Sequence, residues 1–379
     1  MNTVLQKIYF YICFLFLFTT ISCKQETEKT VAKEVNRASV IDSTITAFQK
    51  ILLTQQIDTV FSKTKFNGSI SIVQDHVKLY EKANGFEDFK TQSKLDSNSV
   101  FAIGSVSKQF TAVMILILED QGKLNVNNKI SRYLPEFQSK QFENITVHQL
   151  LNHTSGISDL GNGLHSQPGK KFSYSNKGYR LLGEITEKTS GKTFDENANE
   201  LFAKAAMKNS YTATSFNGDH LAGAYSGTSK NFRIIENMPK RLANPSISSA
   251  AGGILSTVSD LHRWNDALYN GKILKPSSLK KFMTRTSGMD HPILGKVGYG
   301  YGIMMSEGRS VSYFHSGYVK GSPSLLIYYP QTKTSVVLLS NIADESKGKS
   351  AFFIPHKEVK KVTDAVQNAV VELRGGMIK

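Results

Sequence analysis

The sequence predicts an α+β fold in which strands from both ends of the chain meet in one sheet around a helical insert. Three observations predict it. Short alternating segments lie before residue 100, apolar β-like segments lie after residue 310, and the stretch from about 105 to 205 is mostly helical in pattern.

Each element follows from local spacing. Ile45, Phe48, Leu52, Ile57 and Val60 recur at helical intervals, which predicts a first helix over 45–61. Gly68 to Val73 alternates, with Ile70 and Ile72 on one face, and Val77 to Tyr80 reads as its hairpin partner. Val106 to Leu118 is apolar almost throughout and ends at Gly122, a residue suited to the left-handed position after a helix. Tyr179 to Thr189 is helical and stops at Gly191. Thr257-Val258-Ser259-Asp260 reads as a capping box opening a helix to about Asn270. Ser312–His315, Ser324–Tyr329 and Thr334–Ser340 are β-like, with a turn at 330–333, and Glu358 to Leu373 closes the chain as a helix.

The 379 residues are 40% apolar and 20% charged, enough to build a core and unlike a disordered chain. Two cysteines, Cys13 and Cys23, exclude a disulfide scaffold and a cysteine-based zinc site. The formal charge is +15, but the cations are scattered. The densest late group is Lys357, Lys360 and Lys361, with no basic stripe interleaved with aromatics. This describes a solvated basic surface facing anionic polymers or lipids, not a nucleic-acid groove.

The first residues bear on compartment. An apolar run from Ile8 to Phe18 is too short to span a bilayer and suits a secretory segment. It closes on Thr20-Ile21-Ser22-Cys23, which resembles a bacterial lipoprotein cleavage box except that Thr20 stands where Leu is usual. The expected organisation is a lipoprotein signal over 1–22 and a polar tether over 23–44. One domain follows over 45–375, with its sheet region at 45–104 and 206–375 and its helical region at 105–205. The mature chain would begin at a lipidated Cys23, attached to a membrane of the cell envelope with the domain outside the cytoplasm.

Among catalytic signatures, G-x-S-x-G, G-x-x-x-x-G-K-[ST] and H-E-x-x-H are all missing. His148 and His153 lie five apart, off a common helical face, so no metal is expected. S-x-x-K starts at Ser62, Ser105, Ser277, Ser278 and Ser346. Only Ser105-Val106-Ser107-Lys108 opens a long apolar helix, where the spacing puts Ser105 and Lys108 on one face. Burial and the positive helix end both disfavour an ammonium there, and a neutral Lys can accept a serine proton. The same helix end offers N–H groups to an oxyanion. The other reading, Ser105 as a helix cap with Lys108 reaching to water, stands equally at this point.

Two further elements appear once each: Tyr174-Ser175-Asn176 as Y-x-N, and His315-Ser316-Gly317 as H-x-G at a strand end. In this order the three elements resemble the signatures of the penicillin-recognising serine hydrolases, nearest the class C β-lactamase, DD-carboxypeptidase and esterase branch. Leu150-Leu151-Asn152-His153-Thr154-Ser155-Gly156 and Ser249-Ala250-Ala251-Gly252-Gly253-Ile254 match as well, and the resemblance covers roughly 45–370.

The resemblance implies an antiparallel sheet flanked by helices plus an all-helical subdomain, with the site between them and no cofactor. It implies Ser105 as the acylated nucleophile, Lys108 and Tyr174 sharing the proton transfers, and Asn176 holding Lys108 and the substrate amide. His315, Ser316, Gly317 and Tyr318 would line the edge strand, with the Ser105 and Tyr318 N–H groups as the oxyanion hole. Where the lactamases of this branch carry Lys-Thr-Gly, this chain carries His-Ser-Gly. A His titrating near pH 6.5 is a weaker anchor for a substrate carboxylate than a fixed Lys. Poor β-lactamase activity is therefore expected, and turnover of anionic substrates is expected to fall as pH rises through the His315 pKa. His153 is expected in a structural turn and Trp264 in the core or an interface; Tyr299 and Tyr301 edge the site or form a glycine-packed strand.

Three functions are compatible with these residues. One is a serine hydrolase of small esters, amides or peptides, D-Ala-D-Ala peptides and β-lactams among them. Another is a non-catalytic wall binder on the same fold. The last is a basic surface protein, whose binding would fall steeply with salt.

Overall fold

The computed structural model describes residues 39–244 and 247–377. The signal, the lipidation site Cys23 and most of the tether lie outside the described residues. The chain divides into two compact units, Met1–Leu52 and Leu53–Lys379. The described part of the first is the opening half of a helix over 39–64, α1. In the second unit α1 continues with Leu53, Ile57 and Phe61 buried, and Asp58 accepts hydrogen bonds from Tyr80 (2.6 Å) and Lys82 (2.8 Å).

The second unit is built on an eight-stranded antiparallel sheet. Its strands are β1 (Gly68–Gln74), β2 (Val77–Asn84), β3 (Ser287–His291), β4 (Gly295–Tyr299) and β5 (Met304–Ser306). They continue with β6 (Ser312–Val319), β7 (Ser322–Tyr329) and β8 (Thr334–Ser340). The spatial order is β3-β4-β5-β6-β7-β8-β1-β2. The first hairpin thus joins the last strand, with Gly68 opposite Ser340 and Gln74 opposite Thr334. A sheet assembled from both ends is the predicted arrangement, and the predicted turn at 330–333 joins β7 to β8.

β7 and β8 are buried along their whole length because both faces are covered. Neighbouring residues on a strand face opposite ways. Tyr329 and Thr334 point to the C-terminal helix α8 (Ile354–Met377). Tyr329 meets Asp364 at 2.7 Å there, and Thr334 donates to Gln367. Tyr328 and Ser335 point to α6 (Val258–Tyr269), where Tyr328 stacks on Tyr269 and Ser335 meets Asn265 at 2.8 Å.

Between the halves of the sheet come α2 (Ser107–Asp120), α3 (Val147–Leu151), α4 (Asn176–Ser190), α5 (Phe194–Lys204) and, after α6, α7 (Pro276–Met283). α2 is buried on nearly every side: Phe110, Val113, Ile115 and Leu116 are wholly enclosed. At about 1.5–3 kcal/mol for each such side chain, this helix is a main source of cohesion. Trp264 of α6 is core, as expected; it stacks on Phe110 at 4.0 Å and donates to Gln109 at 3.0 Å.

Several local expectations change. Thr257 caps α6 by accepting from Asp260 N–H, but Asp260 does not complete the box. Its carboxylate instead holds Asn209 N–H, Ser210 and Arg263, because burial leaves it those partners. Lys360 is no part of a solvated basic surface: it is 6% exposed and paired with Asp364.

Candidate active site

The turn before α2 positions the first residues. Gly104 adopts φ +52, and Gly104–Val106 form a single 3-10 turn leading into α2. Ser105 therefore lies in this turn. The capping position of α2 is Val106, which has no side-chain cap, so the reading of Ser105 as a helix cap falls away. A Cβ on Gly104 would lie 2.5 Å from Tyr318 N, so the turn sits directly against β6. β5 pairs only with 312–314 of β6, which leaves the edge from His315 onward to face this turn. The turn that carries Ser105 is thereby set against Tyr318 N. Gly317 is required by the same closeness, since its Cβ would meet Ile103 O at 2.0 Å.

Lys108 is wholly buried. Its Nζ lies 3.2 Å from Ser105 Oγ, 2.8 Å from Asn176 Oδ1 and 2.6 Å from Ala251 O. The last two atoms only accept. A neutral amine donates to both and turns its lone pair toward Ser105. Burial lowers the Lys108 pKa to about 7, with Asp159 holding it up. The Lys108 Nζ also lies 4.9 Å from the Tyr174 ring centroid. Tyr174 interacts with Ser105, and burial raises its hydroxyl pKa. Ser105, Lys108, Tyr174 and Asn176 thus form one cluster.

A second layer holds that cluster. Asp159 accepts from Ser175 Oγ (2.7 Å), Asn176 N–H (3.0 Å) and Lys177 N–H (2.9 Å), so the Y-x-N segment and the start of α4 hang on one carboxylate. His153 accepts from Ser175 N–H at Nδ1 (3.1 Å), and its ring lies 4.3 Å from that of Tyr174. With Nδ1 accepting, His153 Nε2–H donates to Tyr299 Oη at 3.1 Å. The Tyr299 hydroxyl then donates to His315 Nε2 at 3.1 Å, and His315 Nδ1–H donates to Ser316 O at 2.6 Å. One chain of hydrogen bonds ties the Y-x-N and H-x-G elements. His153 is structural as expected, and Tyr299 is a bridge inside the protein. Tyr301 meets His148 at 2.6 Å.

The expected role of His315 is corrected by this chain. The ring is fully buried, both nitrogens are used, and burial with Lys108 nearby lowers its pKa to about 3. It offers no titrating cation to a substrate. The Tyr318 side chain also turns away, donating to Glu345 and stacking on Phe352. Ser316 does carry a hydroxyl at this edge, 3.3 Å from His291 Nε2. His291 Nδ1 accepts from Ile293 and Leu294 N–H, so Nε2 bears the proton and leaves the Ser316 hydrogen free to donate.

Sequence reasoning missed Asp159, Tyr299 as a bridge, His291 and the carbonyl of Ala251. None carries a local signal. Ala251 does lie in the matched 249–254 segment, which Thr111 and Ser107 also pin to α2 by bonds to Ala250 O and Ile254 N–H.

A Beta-lactamase family profile matches residues 46–353, and the chain belongs to that family. Penicillin-binding protein 4* of Bacillus subtilis (strain 168) is 26% identical, covering 83% of this chain and 79% of its own. The octameric penicillin-binding protein homologue from Pyrococcus abyssi superimposes with a TM-score of 0.67 at 25% identity, over 79% of this chain and 75% of that one. The D-alanine carboxypeptidase AmpC from Burkholderia cenocepacia shares the fold, with a TM-score of 0.70 at 19% identity over 85% and 99%.

Proposed function

Starting from this family membership, we propose that the chain is a serine hydrolase that cleaves an ester or amide bond through an acyl-enzyme at Ser105. The observation that carries the proposal is Lys108 Nζ, held 3.2 Å from Ser105 Oγ by two acceptors that direct its lone pair there.

In this reading Lys108 takes the Ser105 proton as Oγ attacks the carbonyl carbon. The tetrahedral oxyanion is held by the N–H groups of Ser105 and Tyr318. Tyr174, whose raised pKa keeps it protonated, gives its proton to the leaving nitrogen or oxygen and regains one from Lys108. Lys108 rather than Tyr174 is thus assigned as the base. Water then attacks the acyl-enzyme, releases the acid and restores Ser105. Asn176 holds Lys108 and offers its amide N–H₂ to the substrate carbonyl.

A D-Ala-D-Ala-type peptide, a small ester and a small amide all present the bond this site attacks. A β-lactam does too, but its carboxylate would find the Ser316 hydroxyl and no lysine, His315 being buried with both nitrogens used. We therefore rank β-lactamase turnover below peptide or ester hydrolysis, and a non-catalytic wall binder last, since the whole cluster is assembled.

Intact-mass spectrometry with benzylpenicillin, run with Ser105→Ala beside it, tests this. A stable adduct on the unaltered protein alone supports acylation at Ser105 and a penicillin-binding peptidase. Consumed penicillin with no adduct supports a lactamase. If p-nitrophenyl acetate hydrolysis survives Ser105→Ala unchanged, the hydrolase reading is wrong.

A further inference from the structure

We propose that His291 is a positioning residue for substrate recognition: it fixes the Ser316 hydroxyl as a hydrogen donor to an oxygen carried by the leaving group of the substrate. The proposal rests on the hydrolase reading above and specifies one side of its substrate.

His291 reaches β6 because the β3–β4 hairpin stands free of β5 at its outer end. The ladder between β4 and β5 has only two pairs, Gly298 with Met305 and Tyr299 with Met304. Gly288 faces Gly298 across the hairpin, and beyond this pair of glycines the hairpin has no partner in β5. Two contacts then hold its far end against β6. Ile293 is buried with Ala343, Phe352 and Phe353, and Leu294 and Tyr318 pack on the same group. The His291 ring meets Ser316. Ser316 and Tyr318 lie on one face of β6, because they are two residues apart.

The hydrogen bonds give His291 a single orientation. Its Nδ1 accepts from Ile293 N–H and Leu294 N–H, each at 3.2 Å. Burial lowers its pKa to about 4, so the ring is neutral near pH 7 and its one proton sits on Nε2. That N–H points at Ser316 Oγ, 3.3 Å away. A serine hydroxyl both accepts and donates, and its hydrogen rotates to suit its partners. With His291 occupying one lone pair, the Ser316 hydrogen is directed elsewhere. Ser316 Oγ makes no other hydrogen bond among the described residues.

The position joins this pair to the bond-breaking cluster. His315, the preceding residue, has its ring 6.4 Å from that of Tyr174, the group assigned above to protonate the leaving atom. Ser316 is therefore next to the leaving-group side. It keeps 9% of its surface exposed, whereas His315 has none. An acceptor oxygen on the leaving group thus meets Ser316, and His291 acts on it only through Ser316.

The test compares 3-carboxyphenyl acetate, whose leaving group carries an acceptor, with phenyl acetate, whose leaving group has none beyond the ester. The readout is kcat/KM for the first over the second, so phenyl acetate corrects each variant for a general loss of activity. His291→Asn puts an amide oxygen where Nδ1 stands, which keeps the acceptor for Ile293 and Leu294 but loses the donor to Ser316. His291→Gln puts an amide nitrogen where Nε2 stands and keeps that donor. His291→Asn should lower the ratio about fivefold, carried by KM, and His291→Gln should hold it within about twofold. Ser316→Ala should lower it at least as far, and adding His291→Asn to Ser316→Ala should lower it no further. An unchanged ratio in His291→Asn or in Ser316→Ala, equal losses in the two His291 variants, or a further loss in the double variant overturns the assignment and leaves the hydrolase reading standing. Hydrolysis of both esters that survives Ser105→Ala overturns that reading and the assignment with it.

Discussion

Gly104→Ala isolates the contact that brings Ser105 to the edge of β6. Two effects combine in it. The left-handed φ of +52 costs an alanine about 1–2 kcal/mol. The new Cβ would also sit 2.5 Å from Tyr318 N and 2.9 Å from Tyr318 C. Ordinary contact begins near 3.4 Å, so the turn and β6 must separate by about 0.9 Å (3.4 − 2.5). A shift of about 1 Å in positioned reacting groups costs about 100-fold in rate. Gly122→Ala is the control, because Gly122 has φ +73 and nothing within 4 Å of its Cβ. Both variants should lose about 1–2 kcal/mol of stability by thermal or denaturant melting. Only Gly104→Ala should lose about two orders of magnitude in kcat/KM on p-nitrophenyl acetate. If Gly104→Ala stays within threefold of the unaltered enzyme, or Gly122→Ala loses as much activity, contact with Tyr318 does not set the reactive geometry.

Three other outcomes follow from the same cluster. With Lys108 near 7, acylation by a neutral ester should rise with pH, about tenfold from pH 6 to pH 8, as the amine loses its proton. Asp159→Asn removes the charge that favours the ammonium form and should move the midpoint to lower pH; a flat profile from pH 5.5 to 8.5 would remove Lys108 as the base. Tyr299→Phe strands His153 Nε2–H and His315 Nε2 in the interior, at about 1–3 kcal/mol for each nitrogen. Equal melting temperatures for the two proteins would show that the relay contributes nothing to cohesion.

Much of the architecture is legible in the chain because its causes are local. Alternation from Gly68 and from Thr334, left-handed glycines after α2 and α4, and the Thr257 cap are written in adjacent residues, and the elements form where these signals lie. The three short motifs are legible too, since each is contiguous and they occur in a fixed order. Residues that act across the fold are not. Asp159 lies 17 positions before Asn176 and Tyr299 lies 16 before His315, and nothing at either position announces its partner.

The sequence by itself therefore determined the first hairpin, the last three strands, the longer helices and the candidate groups Ser105, Lys108, Tyr174 and Asn176. Tertiary structure alone decided their state of charge. Lys108 and His315 are both basic side chains, and the sequence suggests a neutral amine and a titrating imidazole. Enclosure lowers both, but Lys108 comes to rest near neutrality beside Ser105, whereas His315 is locked between Tyr299 and Ser316 O. The physical reason is that a charge's cost depends on the solvent and partners around it, and those are set only when distant segments close over the group.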